Sequence, residues 1–149
     1  MKWLDMPPVW LILFATIAWV QAKAYPLNLS LDHPVTSLLA GLLVGAGIVL
    51  TLLAVMEFRR HKTTIIPHET PENLIQSGVF KRTRNPIYLA DVLIFAGLCL
   101  WWDAILALIL VPVLVWVLER RFIIPEENRM RREFRTEFAR YAQKTRRWV

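Results

Sequence analysis

Three cations stand immediately before a proline that opens an apolar run, in the segment FKRTRNPIYLADV from Phe80 to Val92. Proline is favoured at the first position of a helix, where free amide groups and the helix dipole attract anions. Arg82 and Arg84 add positive charge beside that helix start, so the segment is suited to holding a carboxylate or a phosphate. In the alternative interpretation, Asn85 caps the helix and the cations only orient it in a membrane. The spacing alone favours this second interpretation.

Two further pairs of polar residues are placed where they could serve the same site. Tyr88 and Asp91 are three residues apart, so they share a helix face. An acid one turn below a membrane surface needs a polar partner or ligand, although the helix dipole would also favour it. Glu126 and Glu127 begin a later basic helix. They either form ion pairs, for example Glu127 with Arg131, or accept hydrogen bonds from a ligand's hydroxyl or amino groups.

Long uncharged runs indicate that the elements carrying these residues lie in lipid. Hydrophobic residues make up 56% of the 149 residues, which is too apolar for a soluble domain of this size. Residues 6–22 and 33–56 contain no Asp, Glu, Lys or Arg, and about 20 apolar residues span a bilayer core. Shorter apolar runs cover 86–102 and 104–118. Because lipid cannot satisfy backbone amides, the spans must be helices.

The sequence therefore predicts an all-α integral membrane protein with about four transmembrane helices and a cytoplasmic amphipathic C-terminal helix. We expect a single membrane domain over residues 1–149. Its predicted elements are transmembrane helices at 8–23, 34–57, 86–102 and 104–121, a cytoplasmic loop at 58–85, with a short helical turn at 71–76, and a C-terminal helix at 125–144. The small-residue spacing of GLLVG at residues 41–45 predicts close helix packing within this bundle rather than a dimer.

Cation placement predicts the orientation, since cytoplasmic segments carry an excess of Lys and Arg. Of the 18 such residues, six lie within residues 58–85 and ten follow residue 119. Both termini and the long loop should therefore face the cytoplasm, where the two polar segments can meet. We expect the first helix to be retained, although Lys2, an apolar run and AKA at residues 22–24 also fit a cleaved signal peptide.

Several other kinds of site find no support in the sequence. No glycine-rich loop follows a strand, so neither a Rossmann motif nor a P-loop is present. Ser, His and Asp residues form no group that suggests acyl transfer. Cys99 is the only cysteine and the three histidines lack ligand spacing, so neither an internal disulfide nor a metal site is expected. The first two spans contain no acid, which argues against a proton-coupled transporter.

The order of these motifs resembles the isoprenylcysteine carboxyl methyltransferase family in its short bacterial form, and more loosely the membrane phospholipid methyltransferases. The resemblance runs from Thr63 to Trp148 through TTIIP, LIQSGVFKRTRNPIYL, PEENRM and FRTEFARYAQKTRRW. It implies S-adenosylmethionine as methyl donor, held without a Rossmann domain between the last two membrane helices and the cytoplasmic C-terminal segment. It also implies location in a bacterial inner membrane.

Individual residues match the family's motifs. The motif R-[HN]-P-x-Y is matched by Arg84, Asn85, Pro86 and Tyr88, the EE pair by Glu126 and Glu127, and the closing basic pair by Arg146 and Arg147. Tyr141 also matches. The residues predicted to act in catalysis are Arg84, Glu127 and Arg146. The residues predicted to bind the cofactor are Arg82, Asn85, Pro86, Tyr88, Glu126 and Tyr141.

Three positions depart from the family pattern. Met130 stands where Leu is usual, and Phe138 replaces a common Tyr. Arg135 stands where Gly is usual, and we expect this large cation to narrow the pocket or to shift substrate choice.

The function implied by the resemblance is carboxyl O-methylation of a small lipophilic or prenylcysteine-like acceptor. An acceptor carboxylate is already ionised, so alignment and removal of water suffice. An amine acceptor would need a base, either Asp91 or a Glu. The RNP form of the motif favours the carboxylate. The alternatives are N-methylation of a phospholipid or amine, and a non-catalytic scaffold whose basic tail binds anionic lipid. Membrane lipids are the expected partners, with neither nucleic acid nor metal.

Overall fold

The structure, a computed structural model, describes residues 6–25, 30, 32–63 and 72–149. Within these residues every regular element is helical, which confirms the predicted all-α class. The α-helices are α1 (Pro7–Ala24), α2 (Pro34–Arg60), α3 (Pro86–Trp101), α4 (Leu110–Leu118) and α5 (Ile124–Lys144). A proline stands in the first turn of α1, α2, α3 and α5. Helices α1, α2 and α3 begin after a non-helical residue, so the missing amide of the proline costs no hydrogen bond there.

The outer surfaces of α1 and α2 are apolar. Both helices are long and apolar enough to cross a membrane, yet only 17% of the most apolar window of each is buried within the protein. Large side chains such as Ile12, Leu38 and Leu52 are instead exposed. Lipid is the solvent that accommodates such a surface. Because α3 has only 16 residues and α4 only nine, the four-span topology remains a proposal.

Helix α3 lies at the centre of the fold, in contact with α1, α2 and α4. Its Phe95 is fully buried and meets Phe14 of α1 edge to face, with ring centroids 5.8 Å apart. On the other side, Leu114 and Leu118 of α4 are also fully buried in this core. The packing fixes the rotation of α3 and therefore the direction in which its first, polar turn points.

Two glycines bring α2 and α3 together, but they are not those of the GLLVG motif. A Cβ added at Gly47 would lie 2.6 Å from Ile94 Cγ1, and one added at Gly97 would lie 2.7 Å from Val44 Cγ2. By contrast, a Cβ at Gly41 or Gly45 would meet nothing within 4 Å. GLLVG therefore packs within the bundle through Leu43 and Val44, which lie against Gly97. Its two glycines do not make the close approach that their spacing predicts, because the close face of α2 is the one that carries Gly47.

Helix α4 and the part of α5 before Arg135 form one nearly continuous rod, and α5 is kinked at Arg135. Helix α4 follows a 3₁₀ turn at Leu106–Ile109 and passes into α5 through a π-helical segment, Glu119–Ile123. The sequence predicts two separate helices here, at 104–121 and 125–144. The π-helical turns, which accommodate additional residues without breaking the helix, instead set the angular position of the first turn of α5.

The segment before α3 packs against the end of α5. Its 3₁₀ turn lies at Gly78–Lys81, whereas the described part of the predicted turn, Glu72–Gln76, is not helical; residue 71 lies outside the described residues. The carbonyl of Phe80 accepts a hydrogen bond from Tyr141 Oη at 2.7 Å. The two polar segments that flank the membrane helices therefore meet, as predicted.

Candidate functional site

A cleft opens where the segment before α3 meets the start of α5. Its empty volume is about 470 Å³, a figure that includes the open solvent at its mouth. Apolar side chains form much of the wall: Phe58, Leu74, Ile75, Phe80, Met130 and Phe138. The polar lining residues are Asn73, Arg84, Asn85, Glu126, Glu127 and Tyr141. Among the described residues, no three His, Cys, Asp or Glu side chains are grouped to hold a metal ion.

Glu127 is the buried centre of the charged groups, with 4% of the residue exposed. Its carboxylate accepts hydrogen bonds from Arg84 Nη2 at 2.9 Å and from Arg147 Nη2 at 2.8 Å. The predicted partner Arg131 lies 3.6 Å away. Burial acts to raise the pKa of Glu127, but the hydrogen bonds and charges of Arg147 and Arg84 outweigh it and lower this pKa. The hydrogen bonds that Arg147 donates to Glu127 in turn raise the pKa of Arg147. These groups form a charged cluster.

The C-terminal residues are tied to the start of α3 by this cluster. Arg147 also forms an ion pair with Glu119, and Trp148 Nε1 donates to the other oxygen of Glu119 at 3.4 Å. The backbone carbonyl of Arg147 accepts from Thr83 Oγ1 at 3.2 Å and from Asn85 Nδ2 at 3.0 Å. The tail therefore closes one side of the site.

Asn85 occupies the residue before α3 but does not cap it with its side chain. Its Nδ2 donates to the carbonyl of Arg147, and its own backbone amide is satisfied by Thr83 Oγ1 at 3.2 Å. The interpretation in which Asn85 only caps the helix is wrong, because its side chain reaches away from α3 to the tail.

Tyr88 and Glu126 connect α3 with α5. Tyr88 Oη donates to Glu126 Oε1 at 2.7 Å, and its ring stacks on Phe122 with centroids 6.1 Å apart. Glu126 lines the cleft, whereas the buried Tyr88 is not among the cleft-lining residues. This hydrogen bond therefore orients the Glu126 carboxylate from behind the cleft wall.

The other predicted site residues lie in different surroundings. Arg82 is exposed, and Pro86 is buried in the first turn of α3. The side chain of Arg146 is exposed, and its backbone carbonyl accepts from the amide of Arg84 at 3.0 Å. Tyr141 lines the cleft, and burial raises the pKa of its phenol, which stays protonated.

Sequence reasoning missed the inward-facing residue of the closing basic pair. Arg147, not Arg146, reaches Glu127 and Glu119. The pair follows Thr145, which is the extended residue that ends α5, so helical periodicity gives no indication of which arginine points inward. Thr83 was also missed, although its hydroxyl bonds both the tail and the start of α3.

Arg135 breaks the course of α5 instead of narrowing the pocket. Its side chain is exposed and is not among the cleft-lining residues. Its backbone adopts φ 39° and ψ −109°, a conformation that glycine reaches freely and other residues rarely adopt. Having Arg135 where the family has glycine therefore places a non-glycine residue in a strained backbone conformation.

Comparison with known proteins identifies one family. A family model described as PEMT, phospholipid methyltransferase, matches residues 35–137. The match covers more than half of the chain, and contains the Arg84 to Tyr88 motif and the Glu126–Glu127 pair while ending before the C-terminal arginines. No curated protein and no solved structure matches the chain.

Proposed function

The chain belongs to the phospholipid methyltransferase family, and from this premise we propose that it uses S-adenosylmethionine to methylate a lipophilic acceptor in the membrane. Family membership and the two long apolar helices make it a membrane methyltransferase. The observation that carries the proposal is the cleft between the segment before α3 and α5, where apolar walls meet a few fixed polar groups.

The cleft residues fit the cofactor's chemistry. Arg84 Nε is buried and lacks a hydrogen-bond partner in the described part of the chain, so it is a donor suited to the cofactor's carboxylate. Aromatic faces such as Tyr141 and Phe138 suit the sulfonium, while Asn85 and Glu126 suit the polar groups of adenosine. When bound, the cofactor supplies a methyl group: the acceptor's oxygen or nitrogen bonds to that carbon as the carbon–sulfur bond breaks and its electrons remain on sulfur.

The protein's own contribution is to hold these groups in place and to exclude water. The Arg84–Glu127–Arg147 cluster fixes the tail across the site, so the guanidinium of Arg84 needs no reorganisation when an anion binds. Preorganised charges in a site of low water content are worth more than mobile ones. Predicted catalytic roles for Arg84, Glu127 and Arg146 are retained as proposals, with Arg147 added as a positioning residue.

Two acceptor classes are open. The family resemblance noted in the sequence supports carboxyl O-methylation of a lipophilic or prenylcysteine-like acid, whose carboxylate needs no base. The description of the matching family favours a phospholipid. Where the accepting group of such a lipid is an ammonium, it must lose a proton before its nitrogen can be methylated. Asp91, buried one turn beyond Tyr88, is the acid placed to accept that proton.

The cation distribution supports a topology in which both termini and the loop between α2 and α3 face the cytoplasm. We propose four spans in a bacterial inner membrane, with α3 and the α4 rod crossing beside α1 and α2. Apolar outward faces on α1 and α2 support lipid contact along their lengths.

Calorimetric titration of the purified protein with S-adenosylmethionine tests the proposal. Met130 lines the cleft on a half-buried stretch of α5, so Met130→Trp should fill the cleft and weaken binding at least tenfold. Met130→Leu, a matched control of similar volume, should bind as the wild type does. Absence of saturable binding by the folded wild type would refute the cofactor assignment. Equal binding by both variants would place the cofactor elsewhere.

A further inference from the structure

Three polar side chains join the end of α2 to the segment before α3, residues 72–85. Glu57 and His61 lie about one helical turn apart at the end of α2, and both reach Ser77. The Ser77 hydroxyl donates to Glu57 Oε2, and His61 Nε2 lies 2.8 Å from Ser77 Oγ and 3.5 Å from Glu57 Oε2. Because the single hydroxyl proton points to Glu57, His61 Nε2 must be the donor to Ser77 Oγ. These three residues form the Ser77 network.

The backbone beside Ser77 is shaped so that Glu57 can approach it closely. Gly78 has φ 55°, a conformation that favours glycine. A Cβ added at Gly78 would lie 2.6 Å from Glu57 Cδ, so the carboxylate packs directly against the bare Cα of Gly78. The Glu57 side chain is only 13% exposed, and a hydrogen bond to a carboxylate shielded from water is stronger than one at the surface. The contact between α2 and the segment therefore depends strongly on this network.

Further contacts on either side of the Ser77 network bind the same segment to α2. Asn73 Nδ2 donates to the carbonyl of His61 at 3.1 Å. The ring of Phe80 meets Phe58 of α2 edge to face, with centroids 5.5 Å apart, and Phe80 packs with Ala54 in an apolar cluster. The network therefore lies between a polar contact and an apolar one, along a single face of α2.

The segment that the network holds also supplies a wall of the cleft. Residues on both sides of Ser77 line the cleft, and so does the α2 residue that follows Glu57: Asn73, Leu74, Ile75, Phe80 and Phe58. None of the three network residues is among the cleft-lining residues. The network therefore lies behind this wall and can act on a ligand only through the residues that line it.

We propose that the Ser77 network positions this wall of the cleft, with Glu57 and Ser77 as positioning residues for S-adenosylmethionine. The inference rests on the proposed function and deepens it, since it names the contact that keeps the site in its binding conformation. Affinity falls in proportion to the fraction of molecules that hold that conformation. Loss of a hydrogen bond to a charged group changes an equilibrium constant by roughly 10–100-fold. Without the network, the segment should therefore detach from α2 to a measurable extent.

Limited trypsin digestion of the purified full-length protein measures this detachment. Lys81 and Arg82 are exposed, but the chain around them must open before a protease can cleave it, so the cleavage rate follows the open population. In Ser77→Ala and in Glu57→Ala, the rate at these two bonds should rise by about tenfold or more. The rate at the exposed Arg140 of α5 should not change. The double variant should match the faster single variant, because both changes remove one contact.

Cofactor binding provides a readout that a purely structural role would not change. Calorimetric titration should show that S-adenosylmethionine binds Ser77→Ala about threefold more weakly or worse, and saturating cofactor should slow the cleavage of this variant at Lys81 and Arg82. Ser77 is extended, with φ −106° and ψ 172°, a conformation that suits a β-branched residue. Ser77→Thr therefore keeps the hydroxyl in place and should restore both properties. Glu133→Ala, which removes an exposed carboxylate, should behave as the wild type does.

Each contrary result has a distinct meaning. Unchanged cleavage at Lys81 and Arg82 in both alanine variants overturns the inference. Faster cleavage with unchanged cofactor affinity also overturns it, because the network would then stabilise the segment without positioning the site. Equal acceleration at Arg140 would show general unfolding and has the same consequence. Failure of the folded wild type to bind S-adenosylmethionine would instead refute the proposed function, and the digestion would still show whether the network holds the segment against α2.

Discussion

Neutralising Glu127 is the most informative single change, because this carboxylate joins three parts of the chain. In Glu127→Gln, Arg84 and Arg147 lose the charge that they share at 2.9 and 2.8 Å. Removing one partner of a buried ion pair typically costs about 3–5 kcal/mol. Both arginines keep other acceptors: Arg147 keeps Glu119, and Arg84 Nη1 keeps the carbonyls of Ala142 and Thr145 at 3.0 and 3.2 Å. We therefore expect a loss near the lower end, about 3 kcal/mol.

Thermal unfolding in detergent measures this loss. A chain of this length loses roughly 2–4 °C of Tm per kcal/mol, so Glu127→Gln should lower Tm by about 6–12 °C. Glu133→Gln is the matched control, because it removes an exposed carboxylate from the same helix. Equal shifts in the two variants would refute the central role of the cluster.

The pH dependence provides a second check on the same residue. The pKa of Glu127 is lower in the folded protein than its ordinary value, which is about 4.3 in an unfolded chain. Its stabilising contribution is therefore fully present above that value and is lost as the pH falls through the folded pKa. The Tm difference between wild type and Glu127→Gln should be constant from pH 8 to pH 6 and narrow below about pH 4. A difference that grew on acidification would contradict the assigned direction.

Three further changes test the packing, the kink and the tail. Gly97→Ala should lower the free energy of unfolding by about 1–3 kcal/mol, because the added Cβ would lie 2.9 Å from the Ala40 carbonyl oxygen. Gly45→Ala, whose added Cβ has no atom within 4 Å, should be neutral or stabilising. Equal losses of stability in the two variants would refute the α2–α3 contact. Arg135→Gly should raise stability by about 1 kcal/mol by relieving a positive φ, whereas a similar gain in Arg135→Ala would show that strain is not the cause. Arg147→Gln should loosen the C-terminal tail, and so weaken S-adenosylmethionine binding measured by calorimetry and lower Tm by several degrees. Arg146→Gln should change the free energy of unfolding by no more than about 0.5 kcal/mol. The reverse pattern would assign the inward position to Arg146.

Part of the candidate site could be predicted from the sequence, because several of its residues belong to short local motifs. Proline-led helix starts, the RNP motif and the paired glutamates predict anion-binding groups at two places in the chain, and charge placement brings those places to one side of the membrane. Arg84, Glu126 and Glu127 do lie together in the structure. Local sequence pattern could not predict which arginine pairs with which glutamate, since every arginine near Glu127 has the same charge and a similar length.

The amino-acid sequence by itself determined that the chain is helical and apolar, since long uncharged runs can satisfy their backbone in lipid only as helices. It also determined where most helices begin, because proline acts locally on the backbone. Tertiary structure alone decided which glycines meet, that α4 runs into α5 through a π-helical turn, and that Arg147 rather than Arg146 faces inward. Those outcomes depend on the rotation and crossing of whole helices, which are set by packing between residues distant in the chain.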